Sequence, residues 1–572
     1  MLRRFLKAYA VELRLLVLHW SYPLLHLLFI IVLLQFVDSG ELGRTALGML
    51  ETVVGRLAIG LISLVGLFVA GLSASRAERA KTAELEFAFP TGVEVALGRW
   101  LAGVTALLGF LVEPLILAAR QGPTSSLMAG LPTFVGEAAL TLAFTTAGAW
   151  WLARRLPLGR WSYPLLAAGW LAFLIGPTIL VDRRFPALSL LNFMRQGAMG
   201  YHSELWRRVA YGDVFLWFNL FYAGLLLLFL GLLVWRERAR RFHRPSLPGA
   251  VLVAGALALT LFAASNYVSP ILALRAATPE VAPPPPTPDV GGVTVEAYVL
   301  ILDLSGGERA DFEAVVTVRN DGDAPLERFD LQLHPTLEVT ESDVAFEQEG
   351  DRLWLELPEP LAPGGSRAVH LRYGGFIWEP YLKDGMPVAE VFVRPRGVRL
   401  SPLVKWYPQV PGNDAPSGAS REPYAFRLRL KGYGELQFGA NIPQVAPDLF
   451  ESEGATWLYL VGSPYLVTKE EGDTLLITAR DSYTDTRRLV TVYIEALSHL
   501  RRFMPDVPVE GLTAMVLDPG LLPHATPPSD GRVVVAVGRL VLYDLNSTDA
   551  YDFPMVWDAL LYDLWRLGGG TL

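Results

Sequence analysis

The residues in this sequence with the most chemical potential are charges placed where charge is expensive. Arg56, Glu113 and Glu137 fall inside long apolar runs, and an ionisable side chain in such a run pairs with another charge or faces a polar path. Their positions put all three toward the outer ends of the second, third and fourth runs. Two arrangements are open: an ion-pair cluster with Pro114 bending the third run, or separate side chains snorkelling to the membrane interface. The other charged feature is the stretch from Ser75 to Trp100, which separates two apolar runs and is too long and too charged for a minimal helical hairpin. Pro90 stops a helix begun there. Phe87 and Phe89 offer apolar knobs, and Glu78, Glu84 and Glu86 offer acceptors to basic groups on a partner.

Several other chemistries are excluded. The chain has no cysteine, which removes thiol catalysis, disulfides and Cys-ligated zinc or iron–sulfur centres. There is no Gly-x-x-x-x-Gly-Lys-Ser/Thr loop to cradle the phosphates of ATP, and no Gly-x-Ser-x-Gly elbow. Of the 8 histidines, His334, His370, His499 and His524 lie in the C-terminal half without metal-like spacing, as expected of structural or surface residues. No catalytic, cofactor-binding or metal-ligating residue is therefore expected, and the chain is not expected to be an enzyme.

The elements that would carry these charges follow from composition. Of 572 residues, 52% are hydrophobic and only 19% charged, and the charge is split. Up to Arg275 there are 25 basic against 14 acidic residues, and beyond it 24 against 43, giving +11 and −19 for the two parts. A basic, apolar part followed by an acidic one reads as a multi-span membrane unit joined to a water-soluble domain. Nucleic acid is not an expected partner, because phosphate contacts need a basic surface. Seven runs are long enough to cross a hydrocarbon core of about 30 Å: 15–37, 53–74, 100–119, 134–153, 162–181, 214–235 and 248–268. Basic residues before the first run and after the second, fourth and sixth make those segments cytoplasmic. Residues 182–213 on the other side also carry five arginines, which strains the rule there. The N-terminus is then inside and the acidic half extracytoplasmic, in a multi-pass protein of the cell (inner) membrane.

Residues 1–14 place Leu2, Phe5, Leu6, Tyr9 and Leu13 at helical spacing opposite Arg3, Lys7 and Arg14, which suits an amphipathic helix lying in the lipid interface. The six-span core runs over 15–245, the seventh span over 246–275 and a Pro-rich linker over 276–290. Beyond it, alternating apolar and polar residues between Gly/Pro/Asp-rich turns read as a β-sandwich over 291–400. Residues 401–572 read as β-rich and then α/β, with helices at Thr486–Phe503 and Met555–Leu567 and strands at Leu512–Leu517 and Arg532–Val537. The expected fold is thus an α-helical polytopic membrane domain of seven spans plus an extracytoplasmic β-sandwich with a small α/β C-terminal part.

The stretch between the second and third runs resembles the corresponding segment of type-2 ABC exporter permeases, where a Glu-Arg pair, a Thr, a Glu-Leu pair, a Pro and a Gly-Lys/Arg recur in that order. The matching positions are Glu78, Arg79, Thr82, Glu84, Leu85, Pro90, Gly98 and Arg99. Leu191-Asn-Phe-Met-Arg195, Gly200-Tyr201, Tyr211-Gly-Asp-Val214 and the basic exit at Trp235-Arg-Glu-Arg238 extend the likeness to roughly residues 1–245. The resemblance implies that Glu78, Arg79, Thr82, Glu84, Leu85, Glu86, Phe87, Phe89 and Pro90 form an ATPase-coupling segment seated in a separate cytosolic ABC ATPase subunit. ATP and Mg would be bound by that subunit, and the core would pair with a second core, identical or related.

The acidic half is similar in layout to the first domains of aminopeptidase-N-like zinc metallopeptidases. Where those enzymes carry His-Glu-x-x-His on a helix, this chain has Trp557, Asp558 and Leu561, and the sequence ends at Leu572, ahead of a downstream Glu ligand. The resemblance implies a degenerate, peptidase-shaped module for binding cargo or a partner. A membrane-anchored binding or sensor protein without transport, and a membrane-tethered peptidase, are the alternative functions.

Overall fold

A computed structural model describes residues 2–38, 50, 53–79, 93–121, 124–155, 164–172, 186–191, 206, 214–242, 247–277, 292–383, 386–401, 404–411, 424–440, 442–455, 458–471, 474–480, 483, 487, 513–516, 533–536 and 539–542. The chain divides into two units. One holds Met1–His202, Tyr211–Ala277 and Leu382–Pro387; the other holds Ser203–Ala210, Thr278–Tyr381 and Val388–Leu572.

The first unit is helical: α1 (Leu2–Val17), α2 (Ser21–Asp38), α3 (Val53–Arg79), α4 (Val93–Leu108), α5 (Val112–Gln121), α6 (Thr124–Arg155), α7 (Val214–Phe242) and α8 (Leu247–Ala277). Three-residue 3-10 geometry at Gly109–Leu111 joins α4 to α5, and a further 3-10 stretch covers Pro186–Leu191. Seven spans are not what the described residues display. Four stretches are long and apolar enough to cross a membrane: Leu57–Ala74, Val93–Arg120, Val214–Arg236 and Leu247–Ala273. A fifth arises if α1 and α2, bent by 61°, count as one broken span. The run at 134–153 does form a helix, α6, but Glu137, Thr141, Thr145 and Thr146 dilute its hydropathy. These threonines turn inward and donate to carbonyls of the preceding turn, such as Thr145 Oγ1 to Thr141 O at 2.8 Å and Thr146 Oγ1 to Leu142 O at 2.5 Å. The run at 162–181 is helical over 164–172 among its described residues.

Several polar groups inside this unit meet partners within it, as an apolar surround favours. Trp170 Nε1 donates to Ser63 Oγ at 2.9 Å, Tyr222 OH to Leu190 O at 2.8 Å, and Ser189 Oγ lies 2.9 Å from Tyr267 OH. The last two contacts bind the Pro186–Leu191 turn to α7 and α8. The Phe218 ring meets those of Tyr222 and Tyr267 at tilts of 51° and 52°, so α8 packs against α7 at this level.

The second unit is sheet-rich, with β1 (Val293–Asp303), β2 (Arg309–Asn320), β3 (Leu326–Gln332), β4 (Leu337–Ser342), β5 (Ala345–Glu349), β6 (Arg352–Leu361), β7 (Ser366–Phe376), β8 (Trp378–Lys383), β9 (Met386–Arg394), β10 (Gly397–Leu400), β11 (Tyr424–Lys431), β12 (Gln437–Ala440), β13 (Gln444–Ala446), β14 (Leu449–Ala455), β15 (Leu460–Ser463), β16 (Leu466–Glu471), β17 (Thr474–Ala479), β18 (Thr513–Val516), β19 (Val533–Ala536) and β20 (Arg539–Leu542). A seven-stranded sheet has the order β13-β14-β11-β1-β2-β7-β4, and β1 (Val293–Asp303) pairs antiparallel with β2 (Arg309–Asn320) and parallel with β11 (Tyr424–Lys431). Strands from both sides of residue 400 therefore share one sheet. A five-stranded sheet follows β12-β15-β10-β9-β8, and a three-stranded sheet follows β3-β6-β5. One apolar core lies between them: Leu300, Phe312 and Val316 from the large sheet, Leu331 and Leu353 from the small one, Val398 and Leu460 from the five-stranded one, with Trp406 beneath. A second five-stranded sheet, β16-β17-β18-β20-β19, includes β18 (Thr513–Val516) and β19 (Val533–Ala536) where strands are expected from sequence. The helices expected at Thr486–Phe503 and Met555–Leu567, and the Pro-rich linker, lie outside the described residues, apart from Arg487.

Trp206 belongs to this sheet unit although it precedes α7 by only a few residues in sequence. Its indole is buried; Nε1 donates to Gly462 O at 2.9 Å, the ring meets Phe392 edge-on at 5.6 Å, and the Arg399 guanidinium lies 5.7 Å from it. Gly397 makes the room, since a Cβ there would stand 2.5 Å from the indole.

Asp330 on β3 (Leu326–Gln332) is the costliest group in the sheet unit. Phe329 and Leu331 face the core, so alternation turns Asp330 to the other side, yet it is buried and neither carboxylate oxygen has a hydrogen bond. Burial pushes its pKa up against the opposing pull of Arg352, whose Nε lies 3.3 Å away. A carboxyl raised in the folded state adds stability that is complete below its unfolded value near 3.8 and is lost as pH rises through the folded value. Asp303, Glu313 and Asp321 are lowered by hydrogen bonds, chiefly from Ser305, His370 and Arg319, and act in the opposite sense, losing their contribution as pH falls. Asp330→Asn should therefore gain stability relative to the wild type as pH rises from about 4 to about 7, read from thermal unfolding of the full chain. Parallel pH profiles for the two proteins would contradict this.

Candidate functional site

The segment singled out from sequence is bracketed by α3 and α4. Glu78 and Arg79 are the last backbone positions of α3, and α4 opens at Val93. Thr82, Glu84, Leu85, Glu86, Phe87, Phe89 and Pro90 lie outside the described residues. The structure does define what holds the bracket.

α1 contacts both sides. Its inner face carries Phe5, Tyr9, Glu12 and Leu13 at helical spacing, while Leu2 and Leu6 of the expected apolar face are exposed. Toward the end of α3, Glu12 is 2% exposed and fully engaged. Ser73 Oγ donates to its Oε1 at 2.6 Å, and Arg76 grips both oxygens, Nη1 to Oε2 at 2.8 Å and Nη2 to Oε1 at 3.0 Å. Toward the start of α4, Arg4 Nη1 lies 4.0 Å from Glu94 Oε1, and Tyr9 OH donates to Thr105 Oγ1 at 3.3 Å. At the crossing sits Gly98, where a Cβ would lie 2.7 Å from Phe5 O, so α1 and α4 touch backbone to backbone. Gly98 is one of the positions carrying the sequence resemblance. Ala74 of α3, Ala96 of α4, Trp150 of α6 and Leu233 of α7 close into one apolar cluster, and Trp100 Nε1 donates to Thr146 Oγ1 at 3.2 Å. Four helices and α1 thus converge at the ends that bracket residues 80–92.

Two of the three intramembrane charges singled out from sequence have described side chains. Arg56 lies on α3 with its side chain outside the described set. Glu137 is buried on α6. Glu113, at the start of α5, is also buried, and its Oε1 is hydrogen-bonded to Nδ1 of His26 on α2. Glu12 and His26 were not singled out from the sequence. Glu12 had a signal: it is the single acidic residue among the first 37, on the same helical face as Phe5 and Tyr9. His26 had a weaker one, as an ionisable group in an otherwise apolar run.

In the sheet unit, Trp557, Asp558 and Leu561 lie outside the described residues. His334 is bonded through Nδ1 to Thr336 Oγ1 and through Nε2 to Glu379 Oε1, both at 2.6 Å, and His370 Nε2 lies 2.9 Å from Glu313 Oε1. Among the described residues no group of three His, Asp or Glu converges as a metal site.

No protein-family model matches the chain. No curated protein matches it either. Among solved structures it is similar to the M1 zinc metallopeptidase from Deinococcus radiodurans, at 17% identity over 47% of this chain and 64% of that one, with a TM-score of 0.31. A point mutant of the same enzyme, solved with a Tyr-Ser-Ala substrate, gives 18% identity over 45% of this chain and 61% of that one, with a TM-score of 0.30. The match spans less than two thirds of the length of these structures.

The two partners in the Glu12 clamp are unequally exposed, 3% for the carboxylate side chain and 40% for Arg76. Arg76→Ala strands a buried carboxylate and should cost about 3–5 kcal/mol. Glu12→Gln leaves an arginine that can turn to water, and should cost about 1 kcal/mol. Thermal unfolding of the full chain in detergent measures both, and equal losses would contradict the asymmetry.

Proposed function

We propose that the chain is the transmembrane permease subunit of an ATP-driven ABC exporter-type complex. In this reading the segment from Glu78 to Pro90 seats in a separate cytosolic ABC ATPase, which binds ATP and Mg, and the core pairs with a second core. The acidic half lies outside the membrane and receives cargo or a partner. The observation that supports the reading best is the double grip of α1 on α3 and α4. A segment pushed by an ATPase is useful only if the push is delivered to the helices on both sides of it. Glu12 bound to Ser73 and Arg76, with Gly98 pressed on Phe5, ties those two helices into one body. The motif order from Glu78 to Arg99 supports the same assignment.

Replacing Phe87 and Phe89 together with Asp tests it. The double variant should insert normally and lose at least about tenfold of the ATPase stimulation the wild-type chain confers, an effect of about 1.4 kcal/mol on coupling. Stimulation unchanged in a correctly inserted variant would refute the assignment of the segment.

A further inference from the structure

We propose that His26 and Glu113 together form a proton-binding site inside the helical unit, a role independent of the coupling segment. The site sits at an interruption. α4 ends in the 3-10 turn Gly109–Leu111, Glu113 follows immediately, and Pro114 comes next. The ring of Phe110 lies flat on the His26 imidazole, with centroids 3.8 Å apart and planes 6° apart, which fixes the direction of Nδ1 toward Glu113 Oε1. Tyr22, one turn earlier on α2, donates from its hydroxyl to Ala106 O at 2.7 Å.

The other carboxylate oxygen, Glu113 Oε2, is buried and has no hydrogen-bond partner. Phe110, which covers His26, meets Phe29 of α2 edge-on and belongs to an apolar cluster that also holds Ala58, Ile59 and Ile62 from α3 and Phe134 and Ala138 from α6. The titratable groups on these elements are Tyr22, His26 and Asp38 on α2, Arg56, Arg76, Glu78 and Arg79 on α3, Glu113 and Arg120 on α5, and Glu137, Arg154 and Arg155 on α6. With a neutral imidazole and an ionised carboxylate the pair carries one negative charge, half of it on an oxygen with no donor. One added proton brings the pair to zero net charge, shared across the Nδ1 to Oε1 contact, and a second makes it positive. A buried, apolar setting favours the neutral pair. The two groups therefore hold that proton as a unit. Because the contact joins α2 to the helix restarting after the 3-10 break, its strength depends on whether the proton is held.

Infrared pH titration of the full chain in lipid nanodiscs tests this through the carbonyl stretch of protonated carboxyl groups. The wild type should show a titrating carboxyl band that is missing from Glu113→Gln. The midpoint of that band should move by about one pH unit or more in His26→Gln. Should Glu113→Gln fail to insert, the midpoint comparison between the wild type and His26→Gln, made with isotope-labelled glutamate carboxyls, decides alone. Identical spectra for the wild type and Glu113→Gln, or an unmoved midpoint in His26→Gln, would overturn the proposal.

Discussion

A carboxylate sealed from solvent has to be met by donors on the protein, and Glu12 is sealed. Its donors are Ser73 and Arg76, both near the end of α3, so the position of α1 is set by where that charge can be neutralised. Once α1 is held there, the Gly98 crossing brings α4 against it, and Trp100 and Trp150 fill the space behind. The ends of α3 and α4, and with them the anchor points of residues 80–92, follow from one ion pair. The same constraint acts elsewhere in the helical unit. Ser63, Ser189, Tyr222 and Tyr267 each find an internal partner, because an apolar environment leaves a stranded hydroxyl no water to turn to.

Much of this architecture is legible in the sequence. The helical and sheet-rich halves follow from the charge split and the apolar runs, and strands β18 and β19 fall where short apolar runs read as strands. The number of spans is not legible in the same way. The length of an apolar run alone does not separate α6 from the stretches apolar enough to cross a membrane, because Glu137 and the threonines lower its mean hydropathy. Nor does it reveal the 61° bend between α1 and α2, which depends on where α1 is held. The division at residue 400 has a similar cause. The parallel pairing of β1 with β11 is a long-range contact that local alternation does not encode.

The candidate site shows the same limit. The proposed coupling segment can be picked out because its residues are contiguous, whereas the groups that hold the ends of α3 and α4 are scattered. Glu12 and Arg76 are 64 positions apart, and His26 and Glu113 are 87 apart. Trp206 is the extreme case, bonded to Gly462 across 256 positions. Within the sheet unit it fills a space that Gly397 leaves open, so Trp206 is part of the core of that unit although it precedes α7 in sequence.

The central claim is that this chain works with a separate ATPase. Mild-detergent purification from the native host, followed by mass spectrometry of everything retained in near-stoichiometric amounts, tests it most directly. The account predicts an ATPase carrying a Gly-x-x-x-x-Gly-Lys-Ser/Thr loop, together with a second permease core, identical or related. Recovery of the intact chain with no ATPase would contradict it.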